Sequence, residues 1–284
     1  MVIDFHTHTF PDSISASTLQ KLSGVSHSAP FTDGTAAGLA GSMAAAGVDL
    51  SIVLPVATSP RQVRHINESA ARNNERAGET GLFSFGCIHP DCENWREELD
   101  RIAALGLKGV KLHPVYQGVD LDDPRYLRNL TRAGELGLIA VTHAGVDIGY
   151  PDAANCLPAV VRRAVEQAGP VTLVAAHMGG WKRWEEAAEL LADLPVYLDT
   201  SFSTGSIAPL DDGHYAPEEL PLLQEEEFVQ MVRRFGPERI LFGTDSPWSG
   251  QRESVEWLRA LPLADGEKDA ILGGNARRLL GVTD

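Results

Sequence analysis

The sequence predicts an α/β protein built as a closed (β/α)8 TIM barrel, and three observations lead there. Amphipathic stretches that stop at a glycine are followed repeatedly by short β-branched runs ending in a polar residue, the βα alternation of a parallel sheet. The runs are apolar on both faces, as strands covered by helices must be. No GxGxxG follows the first run, where an open dinucleotide-binding sheet would carry it. The 284 residues are expected to form one domain over 1–284, because such barrels commonly run to about 250 residues.

In chain order the strand runs are IDFHTH, LSIVLP, LFSFGCIHP, LKGVKLHP, LIAVTHAG, VTLVAAHMGG, VYLDTS and RILFGTDSP, eight in all. Helices between them are predicted to stop at Gly47, Gly106, Gly137, Gly169 and Gly236, where a left-handed residue satisfies the last carbonyls without a Cβ clash. Ser59-Pro60 and Asp123-Pro124 each set a capping side chain before a proline at the first helical position. Phe228, Met231, Val232 and Phe235 form one apolar stripe at helical spacing. Two connections are long, about 9–35 after the first strand and about 201–224 after the seventh. Both leave the barrel face on which active sites are built, where they are expected to form a lid or specificity wall.

A chain with 43% hydrophobic and 22% charged residues has ordinary globular composition, which excludes disorder and coiled coil. Its 24 Lys+Arg against 39 Asp+Glu give a net charge of −15, a field that repels phosphate backbones and anionic surfaces. Neither nucleic acid nor a membrane is therefore an expected partner, and a small molecule is. No apolar run approaches the ~20 residues of a membrane span, and the opening MVIDFHTHTF has no basic or apolar leader region, so a cytoplasmic protein is expected. Cys87, Cys92 and Cys156 are odd in number without CxxC spacing, and are expected to be buried free thiols. The oligomeric state is open, a homodimer included.

His6 and His8 stand at i and i+2 of the first run, on one face and roughly 6.6 Å apart along the strand. Two imidazoles so placed can occupy adjacent positions on one cation. His89, His113, His143, His177 and Asp245 also end apolar runs. The last four fall seven, six, eight and nine residues after Gly106, Gly137, Gly169 and Gly236, about one strand length on, so parallel strands of similar length bring them to one rim. His27 and His214 fall in the long connections and are expected to be solvated.

DFHTH, KGVKLHP, THAG, AHMGG, FGTDSP and the closing GGNARRLLG, running in that order from Val2 to Leu280, resemble the amidohydrolase superfamily. More narrowly they resemble its amidohydrolase-2 branch, with aminocarboxymuconate-semialdehyde decarboxylase and related TIM-barrel metal-dependent hydrolases. The resemblance implies one divalent metal held by His6, His8, His143 and Asp245, with Zn²⁺ first and Mn²⁺ or Fe²⁺ as alternatives. It also implies His177 facing the substrate as an acid/base or polarising group, and Asp245 as acceptor of a water proton. Three neutral imidazoles and one carboxylate with an open position make a catalytic set rather than a closed structural one.

Related binuclear enzymes carry a carboxylated lysine on the fourth strand. Here Lys111 shares the pleat parity of His113 one layer deeper, and is expected to make an ion pair, with Asp199 as candidate partner, or to meet a substrate carboxylate. His113, Lys111 and Arg61 are the substrate-binding candidates, Arg64 stands beside Arg61, and His89 is expected to be a polar strand cap. The expected activity is hydrolysis of a small anionic ester, lactone or amide through a metal-activated water. The alternatives are non-oxidative decarboxylation of a small carboxylic acid and, third, a scaffold without turnover.

Overall fold

The structure is a computed structural model that describes residues 1–282. Contacts group the chain into two compact units, one of Met1–Val53, Thr80–Leu82 and the chain from Asp199 on, the other of Leu54–Glu79 and Phe83–Leu198. The strands among the described residues are β1 (Ile3–Thr7), β2 (Ser28–Ala29), β3 (Leu50–Val53), β4 (Leu82–Ser84), β5 (Gly86–Cys87), β6 (Gly109–Leu112), β7 (Ile139–Thr142), β8 (Thr172–Ala175), β9 (Val196–Asp199), β10 (Ala208–Pro209) and β11 (Ile240–Leu241). Every predicted run contains a strand, and LFSFGCIHP contains two, β4 and β5. The other two, β2 and β10, lie inside the long connections.

In the first unit β1, buried along its whole length, pairs parallel with β3 (Ile3↔Leu50, Thr7↔Val53), with an irregularity between Asp4 and Thr7. On its other edge it meets the segment after β11, through Phe5 N to Phe242 O at 2.8 Å, Asp245 N to His6 O at 2.8 Å and His8 N to Ser246 O at 2.7 Å. That ladder sets His6, His8 and Asp245 level. The connection after β1 contains a helix, Asp12–Ser26, followed by β2, which pairs antiparallel with β10 of the other long connection (Ala208↔Ala29, Pro209↔Ser28). As expected of histidines in these connections, His214 is exposed and His27 half-buried; their rings stack at 3.6 Å, and His27 Nδ1 lies 2.7 Å from Asp212 Oδ2.

In the second unit β5, β6, β7, β8 and β9 run parallel with an unbroken row of partners, Cys87, Lys111, Val141, Val174 and Tyr197. Because Leu112 faces Thr142 in that register, the residues that follow, His113 and His143, leave the sheet side by side. Helix starts follow the sequence: Asp123 Oδ1 accepts from Arg125 N at 2.8 Å, and Gln62 Oε1 closes the Ser59 turn by accepting from Ser59 N at 3.0 Å.

Stops follow it at Gly47, Gly106 and Gly137, with φ of 69°, 74° and 68°. Gly169 is a correction, for the helix Pro158–Gln167 ends at an extended Ala168 and Gly169 instead donates its N–H to Thr131 Oγ1 at 3.2 Å. Phe228, Met231, Val232 and Phe235 are all buried, each contributing about 1.5–3 kcal/mol relative to exposure. The three cysteines are free and buried. No helix among the described residues is long and apolar enough to cross a membrane.

Candidate metal centre and a second histidine cluster

In the first unit, His8 Nε2 lies 3.0 Å and His6 Nε2 3.4 Å from the same oxygen, Oδ1 of Asp245. The other ring nitrogen of His6 faces Asp199 Oδ2 at 2.8 Å and Ser201 Oγ at 3.0 Å. Ser201 gives both its hydroxyl proton and its N–H to Asp199 Oδ1, so what it offers His6 is a lone pair. Both of these partners accept, so Nδ1 carries the proton, and in the neutral ring Nε2 holds the lone pair. That lone pair points at a carboxylate oxygen, an acceptor facing an acceptor, which a cation between them resolves. The donor set fits a divalent metal on this ground, and the three side chains have ligand atoms within 4.8 Å of one another.

The frame around this cluster is tight. Buried Asp4 accepts from His6 N at 3.2 Å, Thr244 N at 3.0 Å, Thr244 Oγ1 at 2.6 Å and Gln251 Nε2 at 2.8 Å. Burial pushes its carboxyl up to about 7 even though all four bonds pull it down. Gly243 has no side chain because a Cβ there would stand 3.0 Å from His6 Cβ. Asp245 itself has φ of 70°, a left-handed conformation uncommon for a non-glycine residue and typical of functional sites.

In the second unit the histidines meet one another. The His113 ring stacks on Tyr116 at 3.8 Å and on His143 at 4.5 Å, nearly parallel in both cases. His143 Nδ1 lies 2.9 Å from His177 Nε2. His113 Nδ1 accepts from Tyr116 N at 3.4 Å, which leaves the proton of the neutral ring on Nε2. Asp147 Oδ2 stands 3.8 Å from His113 Nε2 and 3.9 Å from His143 Nε2, so His113, His143 and Asp147 form a further group with metal-ligand spacing. His177 opens a 3-10 turn with φ of 59°, followed by Met178 at 55°, and its carbonyl accepts from Trp184 Nε1 at 3.1 Å. Gly145, φ 91°, lets this turn pass, since a Cβ there would lie 2.3 Å from Trp181 N.

The remaining candidates are dispersed. Lys111 is buried inside β6, in register with Cys87 and Val141. His89 is a buried strand cap whose Nδ1 accepts from Asp91 N at 3.1 Å, and burial lowers its pKa. Arg61 is exposed on the first turn of the helix Pro60–Asn74, and Arg64 pairs with Glu68 at 3.3 Å.

Sequence reasoning missed Asp147, Ser201 and Gln117. Gln117 Nε2 donates to the carbonyls of Ala57 and Ile88, both at 2.9 Å, while its Oε1 accepts from His113 N at 3.1 Å and from the Tyr126 hydroxyl. It thus ties the segments at Ala57, Ile88 and His113 together. The one available signal was for Asp147, four residues after His143.

The family model described as amidohydrolase matches residues 3–282. No curated protein sequence matches the chain. Among solved structures, an uncharacterized TIM-barrel protein from Bordetella bronchiseptica is 20% identical with a TM-score of 0.75, over 99% of this chain and 98% of that one. A provisionally assigned 2-pyrone-4,6-dicarboxylic acid hydrolase from Pseudomonas putida is 22% identical, TM-score 0.68, over 99% and 97%. A dihydroxybenzoic acid decarboxylase from a Polaromonas species, with manganese and 2-nitroresorcinol bound, is 13% identical, TM-score 0.66, over 99% and 97%. These likenesses give the fold, a TIM barrel, and with the family match the chain belongs to the amidohydrolase family, whose members are metal-dependent enzymes.

Proposed function

We propose that the chain is a metal-dependent hydrolase of a small anionic ester, lactone or amide. The observation that carries this reading is the pair of imidazole nitrogens, His6 Nε2 and His8 Nε2, on one oxygen of Asp245. His6, His8 and Asp245 would hold the cation, with His143 as the fourth ligand that the family resemblance implies. An N₃O set suits Zn²⁺, with Mn²⁺ or Fe²⁺ as alternatives. When bound, a divalent cation polarises a carbonyl and acidifies water.

The chain's own groups do the rest. Asp245, the carboxylate of the set, accepts a proton from the attacking water. His177 donates a hydrogen bond to the oxygen on which charge develops. His113, protonated at Nε2, and buried Lys111 receive the substrate's anionic group. Arg61 is the remaining candidate for that group.

Decarboxylation is the second reading, favoured by the manganese-bound decarboxylase of the same fold. A screen of lactones, esters, amides and aromatic or dienoic acids in ¹⁸O-labelled water separates the two. Label at the cleaved carbonyl without CO₂ is the expected result. CO₂ release with a solvent proton placed on carbon, and no carbonyl label, would overturn it.

A further inference from the structure

We propose that Asp199, held by Ser201, is a positioning residue that dictates which nitrogen of His6 is available as a ligand. The inference rests on the metal reading above and adds a role for two residues at the end of β9. All three side chains, His6, Asp199 and Ser201, are fully buried, so no water can take the place of a missing partner. Asp199 Oδ1 is committed to two donors of Ser201, its N–H at 3.1 Å and its hydroxyl, while Oδ2 is committed to His6 Nδ1 at 2.8 Å. The carboxylate cannot rotate without breaking all three bonds. Its charge stabilises the proton on Nδ1 and raises the basicity of Nε2 across the ring. Gly243, whose Cβ would crowd His6 Cβ at 3.0 Å, leaves the His6 ring its place beside Asp199.

Asp199→Asn tests this without a change of shape. If the amide oxygen replaces Oδ2, the new NH₂ faces the N–H of Ser201, donor against donor. If the amide flips, NH₂ faces His6 Nδ1 and drives the proton to Nε2, where it blocks coordination. Either orientation damages the ligand. Stripped protein is titrated with Zn²⁺ against a chromophoric chelator, and the His6 tautomer is read in metal-free, ¹⁵N-histidine-labelled protein by long-range ¹⁵N–¹H correlation.

The wild type should show Nδ1–H at His6. Asp199→Asn should bind Zn²⁺ about 10 to 100 times more weakly and shift His6 toward Nε2–H. Ser201→Ala, which loosens the carboxylate but keeps it, should weaken binding less than tenfold and retain Nδ1–H. Far-UV circular dichroism and melting of the metal-free variants show whether they fold, and if Asp199→Asn does not, Ser201→Ala and the wild-type tautomer still decide. Wild-type affinity in a folded Asp199→Asn variant, or Nε2–H at His6 in the wild type, would overturn the proposal. A wild type that takes up none of Zn²⁺, Mn²⁺ and Fe²⁺ would instead overturn the metal reading, a failure visible before any variant is made.

Discussion

His6 and His8 in the first unit face carboxylates, Asp199 and Asp245, at 2.8 to 3.4 Å, whereas His113, His143 and His177 in the second face one another, with ring centroids 4.5 and 4.7 Å apart. The same side chain is thereby given two chemistries. A carboxylate at hydrogen-bond distance fixes a tautomer and raises basicity, which suits holding a cation. Neighbouring rings share a proton between nitrogens and bury flat apolar surface, which suits passing a proton and receiving a planar group.

The largest expected effect breaks the comparison from the acidic side. Asp245→Asn removes the charge shared by His6 and His8 and should cut turnover about 10²-fold or more, with metal content falling and circular dichroism unchanged. Full activity on an identified substrate would reduce Asp245 to a strand cap. Gln117→Ala tests what supports the ring cluster: it leaves two carbonyls, the His113 N–H and the Tyr126 hydroxyl without their partner, and should cost about 2 to 3 kcal/mol. Urea denaturation checks this through the midpoint at constant m-value, and a change under about 0.5 kcal/mol would mean that the segments it ties do not depend on it.

A smaller effect sharpens the division of labour. His113→Phe keeps a flat ring against Tyr116 and His143 but removes Nε2–H. KM should rise about tenfold, the worth of one hydrogen bond to a charged group, with kcat and bound metal unchanged. Loss of metal instead would move His113 among the ligands.

The smallest is Asp123→Ala, which removes a helix cap in the second unit for about 1 kcal/mol. The Arg125 side chain and N–H hold the Asp123 carboxyl down at about 2. Its contribution is therefore present above the unfolded value near 4 and lost as pH falls through about 2. Wild type and variant should converge in stability across that window, and a gap that persisted at the acid end would point to a cap independent of charge.

The sequence by itself determined the eight strand runs, most helix ends and the identity of the ring-bearing positions, because each of these is a local property, whereas the short β2–β10 pair inside the long connections was not legible. Alternation of apolar residues, a proline after a capping side chain, a left-handed glycine after a helix and His-x-His on one strand act over a few residues. Gly169 was misread because its neighbour Thr131, 38 residues away, decides its geometry.

Only tertiary structure decided the partners of the histidines. Asp199 lies 193 residues from His6 and Asp245 237 residues from His8, and no period or spacing encodes which carboxylate turns toward which nitrogen. The strand ends could be read as ionisable, but the carboxylate facing His6 Nδ1, the left-handed backbone of Asp245 and His177, and the register that stacks His113 on His143 all arise from contacts between distant segments. Hydrogen bonding and ring stacking act over a few ångströms in space, and distance along the chain does not report them.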